Sequence, residues 1–347
     1  MEIYTIGHSN YTMERLIDML EYYNINCVVD IRGTPYSKYN IQFDKEAIRY
    51  TLTNAGFVYI YMGKELAAKR IRKNSYNNEG YSNFEEVIKD SEFILHVTPS
   101  KFTRNIFKQY KQYVGEKPVI ICSKGFEKET LKTLDEVLVD EMPTVKVGVL
   151  SGPSHAEEVS IGVPTALVVA SKHEDILKTL QETFMSEKMR VYASNDVKGV
   201  ELGGALKNII AFCAGVAAGI GLGDNSFAAL ITRGLKEITR LGVQLGGNQE
   251  TFYGLSGLGD LIVTCLSEHS RNRKAGILIG QGKTLEETKK EVGMVIESID
   301  NIEVAYELGK IHNIEMPIVN AVYGVLYEKL DPVEEVKKLM TRDKKKE

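Results

Sequence analysis

An α/β sheet domain followed by an all-α domain is the fold class this sequence predicts, and three observations predict it. Residues 1 to about 90 alternate short apolar runs with amphipathic stretches, a βαβαβ order that implies a parallel sheet. Further short apolar runs follow up to Ser194. Beyond Val197 the strand signals nearly stop and long amphipathic helices take over. At 347 residues the chain exceeds what one core usually supports. The expected division is 1–90, 91–196, 197–340 and a charged tail at 341–347.

In order, the first part reads as a strand Ile3–Ile6, a helix Met13–Tyr23, a strand Cys27–Ile31, a helix Lys45–Ala55 and a strand Phe57–Met62. The polar stretch Asn74–Ser82 reads as a loop or lid. The sheet then continues through Phe93–Val97, Pro118–Cys122, Val145–Leu150, Ala166–Ala170 and Val191–Ala193, with helical stretches between several of them. The helical part comprises 199–220, 226–245, 270–281 with Gly282 as its stop, 298–311, 317–328 and 332–340. Thr284 and Glu287 form a capping box, and Asp331 caps a helix that has Pro332 at its first position.

Composition narrows the function. With 43 basic and 47 acidic residues the net charge is −4, which supplies no general field for nucleic acid or an anionic membrane; a small anion would need a local site. Cys27, Cys122, Cys213 and Cys265 lie far apart in apolar runs, without CxxC or histidine-rich company, and read as reduced core thiols with no metal site. Met1 leads straight into a strand, and no apolar stretch approaches 18 residues, so a cytoplasmic, soluble chain is expected, with a homodimer left open.

The chemistry-bearing residues fall in six short runs. In Glu201–Asn208 the apolar positions Leu202, Leu206, Ile209 and Cys213 recur at helical spacing and bring Lys207 into a buried face, where Gly203 and Gly204 allow a close neighbour. A lysine there is paired, desolvated or bound to substrate; the ordinary alternative is one that snorkels to solvent. Ser123-Lys124-Gly125 follows a strand, at the sheet edge where open α/β sheets bind ligands. Ser151–Glu158 turns into a helix and offers amides and hydroxyls to an anion or a cofactor; its His155 reads equally well as structural. In Leu258–Cys265, Asp260 and Thr264 share one helical face, and an aspartate in so apolar a run needs a partner, which Lys207 can be. Ser270-Arg271-Asn272-Arg273 opens a helix and reads as a phosphate cradle, or as a charged cap. Gly219–Gly223 is glycine-rich but ends a helix rather than following a strand, so it is a turn.

The runs SKG (123–125), GPSHAEE (152–158), GVELGGALKN (199–208), GLGDLIVTC (257–265), SRNR (270–273) and GMVIES (293–298), in this order, resemble the bacterial NAD(P)-dependent glycerol-3-phosphate dehydrogenase family. The resemblance runs from about Ser91 to Met340. It implies a Rossmann-like nucleotide-binding domain over 91–196 and a substrate domain over 197–340. It also implies hydride transfer between NAD or NADP and dihydroxyacetone phosphate, feeding glycerophospholipid synthesis. By this resemblance Lys207 is the proton donor and acceptor, with Asp260 and Thr264 orienting the reacting groups. Lys124 contacts cofactor and substrate, Gly152 and Ser154 line the substrate pocket, and Ser270, Arg271 and Asn272 hold the phosphate. Ala156, Arg271, Val295 and Glu297 fall on the cofactor side. A desolvated lysine suits a ketone oxygen that gathers charge as hydride arrives.

The front of the chain departs from that pattern. Residues 1–90 carry glycines only at 7, 33, 56, 63 and 80, so no strand followed by GxGxxG is present and the parallel sheet is an incomplete or hybrid Rossmann-like one. Tyr4–Asn10 (YTIGHSN), Val28–Ser37 and Tyr59–Leu66 resemble instead the front half of a bacterial domain family of unknown function with a TIGHS opening, joined near Val87–Phe93. Three readings stand: a substitute dinucleotide half in which Asp30 takes the ribose hydroxyls, a phosphate binder or inactive homologue without cofactor, or a join of two genes whose parts need not cooperate. A binding module for nucleic acid or a small ligand is a further alternative, resting on His8, Ser9, Asp30, Arg32, Ser37 and Lys64 with Tyr36, Tyr39, Tyr59, Tyr61 and Tyr81 to stack on bases. The charge balance argues against nucleic acid.

Overall fold

A computed structural model describes residues 12–23, 25, 27–30, 41–61, 84–89, 91–344 and 346. The chain divides into two units, Met1–Glu86 and Val87–Glu347. In the first, helix α1 (Met13–Tyr22) starts where the Thr12 hydroxyl accepts a bond from Arg15 N at 3.2 Å, and it presents Leu16 and Leu20 to a small core. Strand β1 (Cys27–Asp30), helix α2 (Lys45–Asn54) and the parallel strand β2 (Val58–Tyr61) complete it, with Phe43, Ile48, Leu52 and Phe57 closing the core and Tyr59 packed against it. The expected strand Ile3–Ile6, the loop 74–82, Gly7, His8, Ser9, Asn10, Arg32, Tyr36, Ser37, Tyr39, Lys64 and Tyr81, and the side chains of Asp30 and Tyr61, lie outside the described residues.

The second unit begins with α3 (Phe84–Lys89), which runs across the division, and builds a five-stranded sheet. Its strands are β3 (Ile94–His96), β4 (Val119–Ile121), β7 (Val147–Ser151), β8 (Thr165–Ser171) and β9 (Met189–Ser194), hydrogen-bonded in that order. A small antiparallel pair, β5 (Phe126–Glu127) and β6 (Lys132–Thr133), follows β4. Helices α4 (Thr103–Val114), α5 (Leu134–Glu141), α6 (Ala156–Val159) and α7 (Glu174–Phe184) connect these strands. Ile120, Val169, Ile176, Leu177, Leu180 and Val191 form the sheet's core.

Two expectations about the sheet are corrected. It is mixed rather than parallel, because β8 runs antiparallel to β7, with Val149 opposite Ala170. The only helix between them, α6, has four residues, too few to carry the chain back along a strand, so the turn after Ser151 reverses it. Nor is one sheet continuous from the amino terminus: β1 and β2 form a two-stranded sheet of their own among the described residues.

The helical layer is centred on α8 (Val197–Gly219), in which nearly every residue is buried. Asp196 caps it through Gly199 N at 2.9 Å and also accepts from Asn248 N and Thr251 Oγ1. Glu201 reaches back from α8 to the first amides of α5, Leu134 N at 2.8 Å and Asp135 N at 3.1 Å, which ties the helical layer to the sheet layer. Around α8 lie α9 (Asp224–Gln244), α10 (Gln249–Phe252), α11 (Asp260–Leu266), α12 (Arg271–Gly280), α13 (Leu285–Val292), α14 (Glu297–Ile311), α15 (Pro317–Tyr327) and α16 (Pro332–Met340). The capping box at Thr284 and Glu287 and the Asp331 cap are both formed, and Gly219 ends α8 in a turn as expected. Helices α8 and α12 meet backbone to backbone: a Cβ on Gly215 would lie 2.9 Å from Gly276 Cα, and one on Gly276 would lie 2.8 Å from Val216 N. No side chain larger than hydrogen fits between them. α8 is also the one described helix long and apolar enough to span a membrane; its burial inside this layer makes it a core helix.

Candidate active site

Helix α8 brings Lys207 and helix α11 brings Asp260 and Thr264 to one buried point. Lys207 Nζ donates to Asp260 Oδ1 at 2.6 Å and to Thr264 Oγ1 at 2.5 Å, while Thr264 Oγ1 donates to the Asp260 carbonyl at 2.6 Å. The four-residue spacing in an apolar run thus does what it predicted: one face of a helix offers a carboxylate and a hydroxyl to a buried ammonium. Lys124, from the carboxyl end of β4, donates to the other Asp260 oxygen at 2.6 Å and to the Gly152 carbonyl at 3.2 Å. Gly204 leaves room for this, since a Cβ there would lie 2.9 Å from Ser151 Oγ and 3.4 Å from Lys124 Cγ; Gly203 faces the Ser256–Gly257 backbone in the same way.

Two ammonium groups on one carboxylate set the electrostatics. Burial pushes the Lys207 ammonium down to about 8 and Lys124 repels its charge further, against the pull of Asp260. Burial raises the Asp260 carboxyl, but Lys124 and Lys207 outweigh it and hold the group below the ordinary aspartate value. At neutral pH the site is a lysinium poised close to its own titration, the state a general acid needs.

Ser270 caps α12, its Oγ accepting from Arg273 N at 3.2 Å, so Arg271 stands at the helix start as predicted. Arg271 is exposed and donates to the Val295 carbonyl at 3.3 Å. Asn272 is buried, and its Oδ1 accepts from Ser298 N at 3.1 Å, so this oxygen caps α14. That bond fixes the relation between α12 and α14. Glu297 accepts from Asn208 Nδ2 at 3.2 Å, and burial raises its carboxyl despite the pull of Arg271.

A cavity of about 550 Å³ opens at the carboxyl ends of β3 and β4, lined by Thr98, Ser123, Lys124, Arg271, Val295 and Glu297 among others. This is where open α/β sheets hold ligands, and the lining offers hydroxyls, one carboxyl and two cations. Residues 1–11, where a pyrophosphate cradle would stand, lie outside the described residues. A larger apolar cavity of about 600 Å³ among α8, α9, α15 and α16 contains none of the predicted site residues.

The structure therefore joins Lys124, Gly152, Lys207, Asp260 and Thr264 by hydrogen bonds, and Lys124, Arg271, Val295 and Glu297 around one cavity. Ser154 and Ala156 are exposed around the start of α6, and the Ser154 hydroxyl bends back to the Gly152 carbonyl at 3.4 Å. Sequence reasoning missed Asn208 as the partner of Glu297, although it adjoins Lys207; Ser151, which opens the run expected to offer hydroxyls, has a buried hydroxyl with no partner among the described residues that faces Gly204.

Comparison with known proteins identifies the family. Residues 65–177 match the family described as NAD-dependent glycerol-3-phosphate dehydrogenase N-terminus, and residues 196–337 match the corresponding C-terminus. The match thus starts before Ser91 and includes α3, an acidic, apolar helix at the expected junction. Glycerol-3-phosphate dehydrogenase [NAD(P)+] of Fusobacterium nucleatum is 50% identical over 268 residues, 76% of this chain and 80% of its own. The Thermoanaerobacter enzyme of the same description is 51% identical over 267 residues, 77% of this chain and 81% of its own. The crystal structure of glycerol-3-phosphate dehydrogenase from Coxiella burnetii superposes with a TM-score of 0.73 at 31% identity, covering 91% of this chain and 98% of that one.

Proposed function

This chain belongs to the NAD-dependent glycerol-3-phosphate dehydrogenase family, and from that membership we propose that it interconverts dihydroxyacetone phosphate and glycerol 3-phosphate with Lys207 as the proton-transferring group. The observation that carries the reading is the Lys207 ammonium, held by Asp260 and Thr264 in a site with Lys124 on the opposite carboxylate oxygen. In reduction Lys207 gives its proton to the ketone oxygen, and in oxidation it takes one from the alcohol. Asp260 and Thr264 aim the ammonium, Lys124 adds positive charge beside the developing oxyanion, and Arg271 at the start of α12 anchors the phosphate. Lys124, Arg271, Val295 and Glu297 hold the nicotinamide end of the dinucleotide, a reading supported by the one cavity they line. The nicotinamide, when bound, supplies or accepts the hydride.

The affinity for that cofactor is the point on which this chain departs from its family. A Rossmann cradle holds the pyrophosphate on glycine-flanked amides, and the residues after Gly7 are His8, Ser9, Asn10 and Tyr11. Weak dinucleotide binding follows, with a phosphate-ligand binder that turns nothing over as the second reading. Its source would be a front segment, 1–90, that resembles the TIGHS-motif family. Reduction of dihydroxyacetone phosphate, followed by loss of NADH or NADPH absorbance at millimolar cofactor, tests the function. No turnover with either cofactor in either direction refutes it.

A further inference from the structure

His155 was left undecided by its sequence context, and its surroundings give it a purpose. It stands immediately before α6, but its ring makes no capping bond. Its carbonyl does that work, accepting from Glu158 N at 3.1 Å and Val159 N at 3.0 Å. The ring's Nε2 is buried and has no partner among the described residues. Buried polar atoms without partners are rare in folded chains, and one beside an active site is explained by a ligand atom. The ring lies 6.1 Å from the His269 ring, centroid to centroid, and His269 directly precedes Ser270, the cap of α12. Lys207 and Asp260 also act on it through space. His155 therefore lies against the residue that leads into the phosphate helix and within electrostatic reach of the proton-transferring group.

We propose that His155 is a substrate-binding residue whose Nε2 donates a hydrogen bond to the phosphate ester of the bound three-carbon substrate. The inference rests on the function proposed above and adds a ligand contact to it. In the free protein the imidazole is held below its ordinary value, first by burial and then by Lys207 and His269, against Glu157 on its own helix and Asp260 on α11. A phosphate monoester carries about 1.5 to 2 negative charges at pH 7. Brought against the ring, it stabilises the imidazolium, so substrate binding and His155 protonation promote each other.

The test follows the imidazole resonances of the full chain by NMR, assigned by comparison with His155→Phe, across a pH titration with and without glycerol 3-phosphate, inorganic phosphate or glycerol. The expected result is an upward shift of the His155 titration with glycerol 3-phosphate and with phosphate, and none with glycerol. In steady-state assays His155→Phe raises KM for dihydroxyacetone phosphate by about tenfold, the loss of one hydrogen bond, with a far smaller change in kcat, and removes a limb from the pH profile of KM. His155→Gln restores most of the KM at pH 7.5 without restoring that limb. An unmoved resonance, a response to glycerol alone, an unchanged KM, or a fall in kcat with KM constant would each overturn the proposal. Should the wild-type protein turn nothing over, the proposed activity fails by itself, and the phosphate titration of His155 still decides this contact.

Discussion

Lys207 Nζ and Asp260 Oδ1 meet at 2.6 Å although they lie 53 residues apart on different helices, and both residues are buried. A buried cation survives only with its partner, and a partner shared with Lys124 leaves it short of full neutralisation. That imbalance is what a proton-transferring lysine requires.

Removing the ammonium should abolish chemistry before it abolishes the fold. Lys207→Ala is expected to lower turnover by roughly 100- to 10,000-fold, with Lys124 left to pair with Asp260. Initial rates alongside a circular-dichroism melt check this; near-normal turnover in a folded variant removes Lys207 from the mechanism.

The pH dependence has a sign that differs with direction. Lys207 titrates at about 8, down from its usual 10.5. Reduction needs the lysinium, so its rate falls as pH rises through that value, whereas oxidation needs the neutral amine and gains over the same range. Profiles of kcat/KM in the two directions should bend near that value with opposite sign; two profiles with the same sign would show that another group carries the proton.

In the proposed reading Arg271, exposed at the start of α12, anchors the phosphate through a charge-assisted bond. Arg271→Ala should weaken glycerol 3-phosphate binding by about 1.5–3 kcal/mol, on the order of 10- to 150-fold by calorimetry. Equal affinity in the variant moves the phosphate to another part of the site.

Dinucleotide affinity is expected in the millimolar range, because several charge-assisted bonds to a pyrophosphate, about 1.5–3 kcal/mol each, have no glycine loop to supply them. Titration calorimetry with NADH and NADPH settles it. Saturation at micromolar concentrations would mean that the first unit provides a substitute cradle.

Gly276→Ala tests the packing of α12 on α8. Its Cβ would be driven against the Phe212 carbonyl and Val216 N, which are backbone atoms that cannot turn aside. Destabilisation of about 3 kcal/mol or more is expected from such overpacking, read as a fall in the denaturation midpoint. A variant as stable as the parent would show that the two helices separate at little cost.

Much of this was legible in advance. Asp260 and Thr264 four residues apart in an apolar run require a helix and a buried cation, and Lys207 was the cation available. The alternation of Val and Ile runs located β4, β7 and β8 to within about two residues. Strand direction was not legible, because Thr165–Ser171 is equally apolar whichever way it runs; the length of α6 decides it. Nor was the reach of Lys124 to Asp260, 136 residues away, since a long flexible side chain after a strand leaves no periodic trace. The bond from Ser298 N to Asn272 Oδ1 was not legible either, because a polar side chain at a helix start gives no sign of which neighbouring helix end it also serves.

The contact of α8 with α12 also fixes a length. Lys207 and the start of α12 belong to two backbones in direct touch at Gly215 and Gly276, so the span from acid to anchor cannot be adjusted by changing a side chain along the seam. In the proposed reading the pair of helices acts as a caliper, with the Lys207 ammonium and the Arg271 phosphate seat as its jaws. A ketone whose carbonyl stands one carbon farther from its phosphate would be carried past Lys207. Selectivity for carbon count is then a property of the skeleton, and it persists when residues on the pocket wall are exchanged.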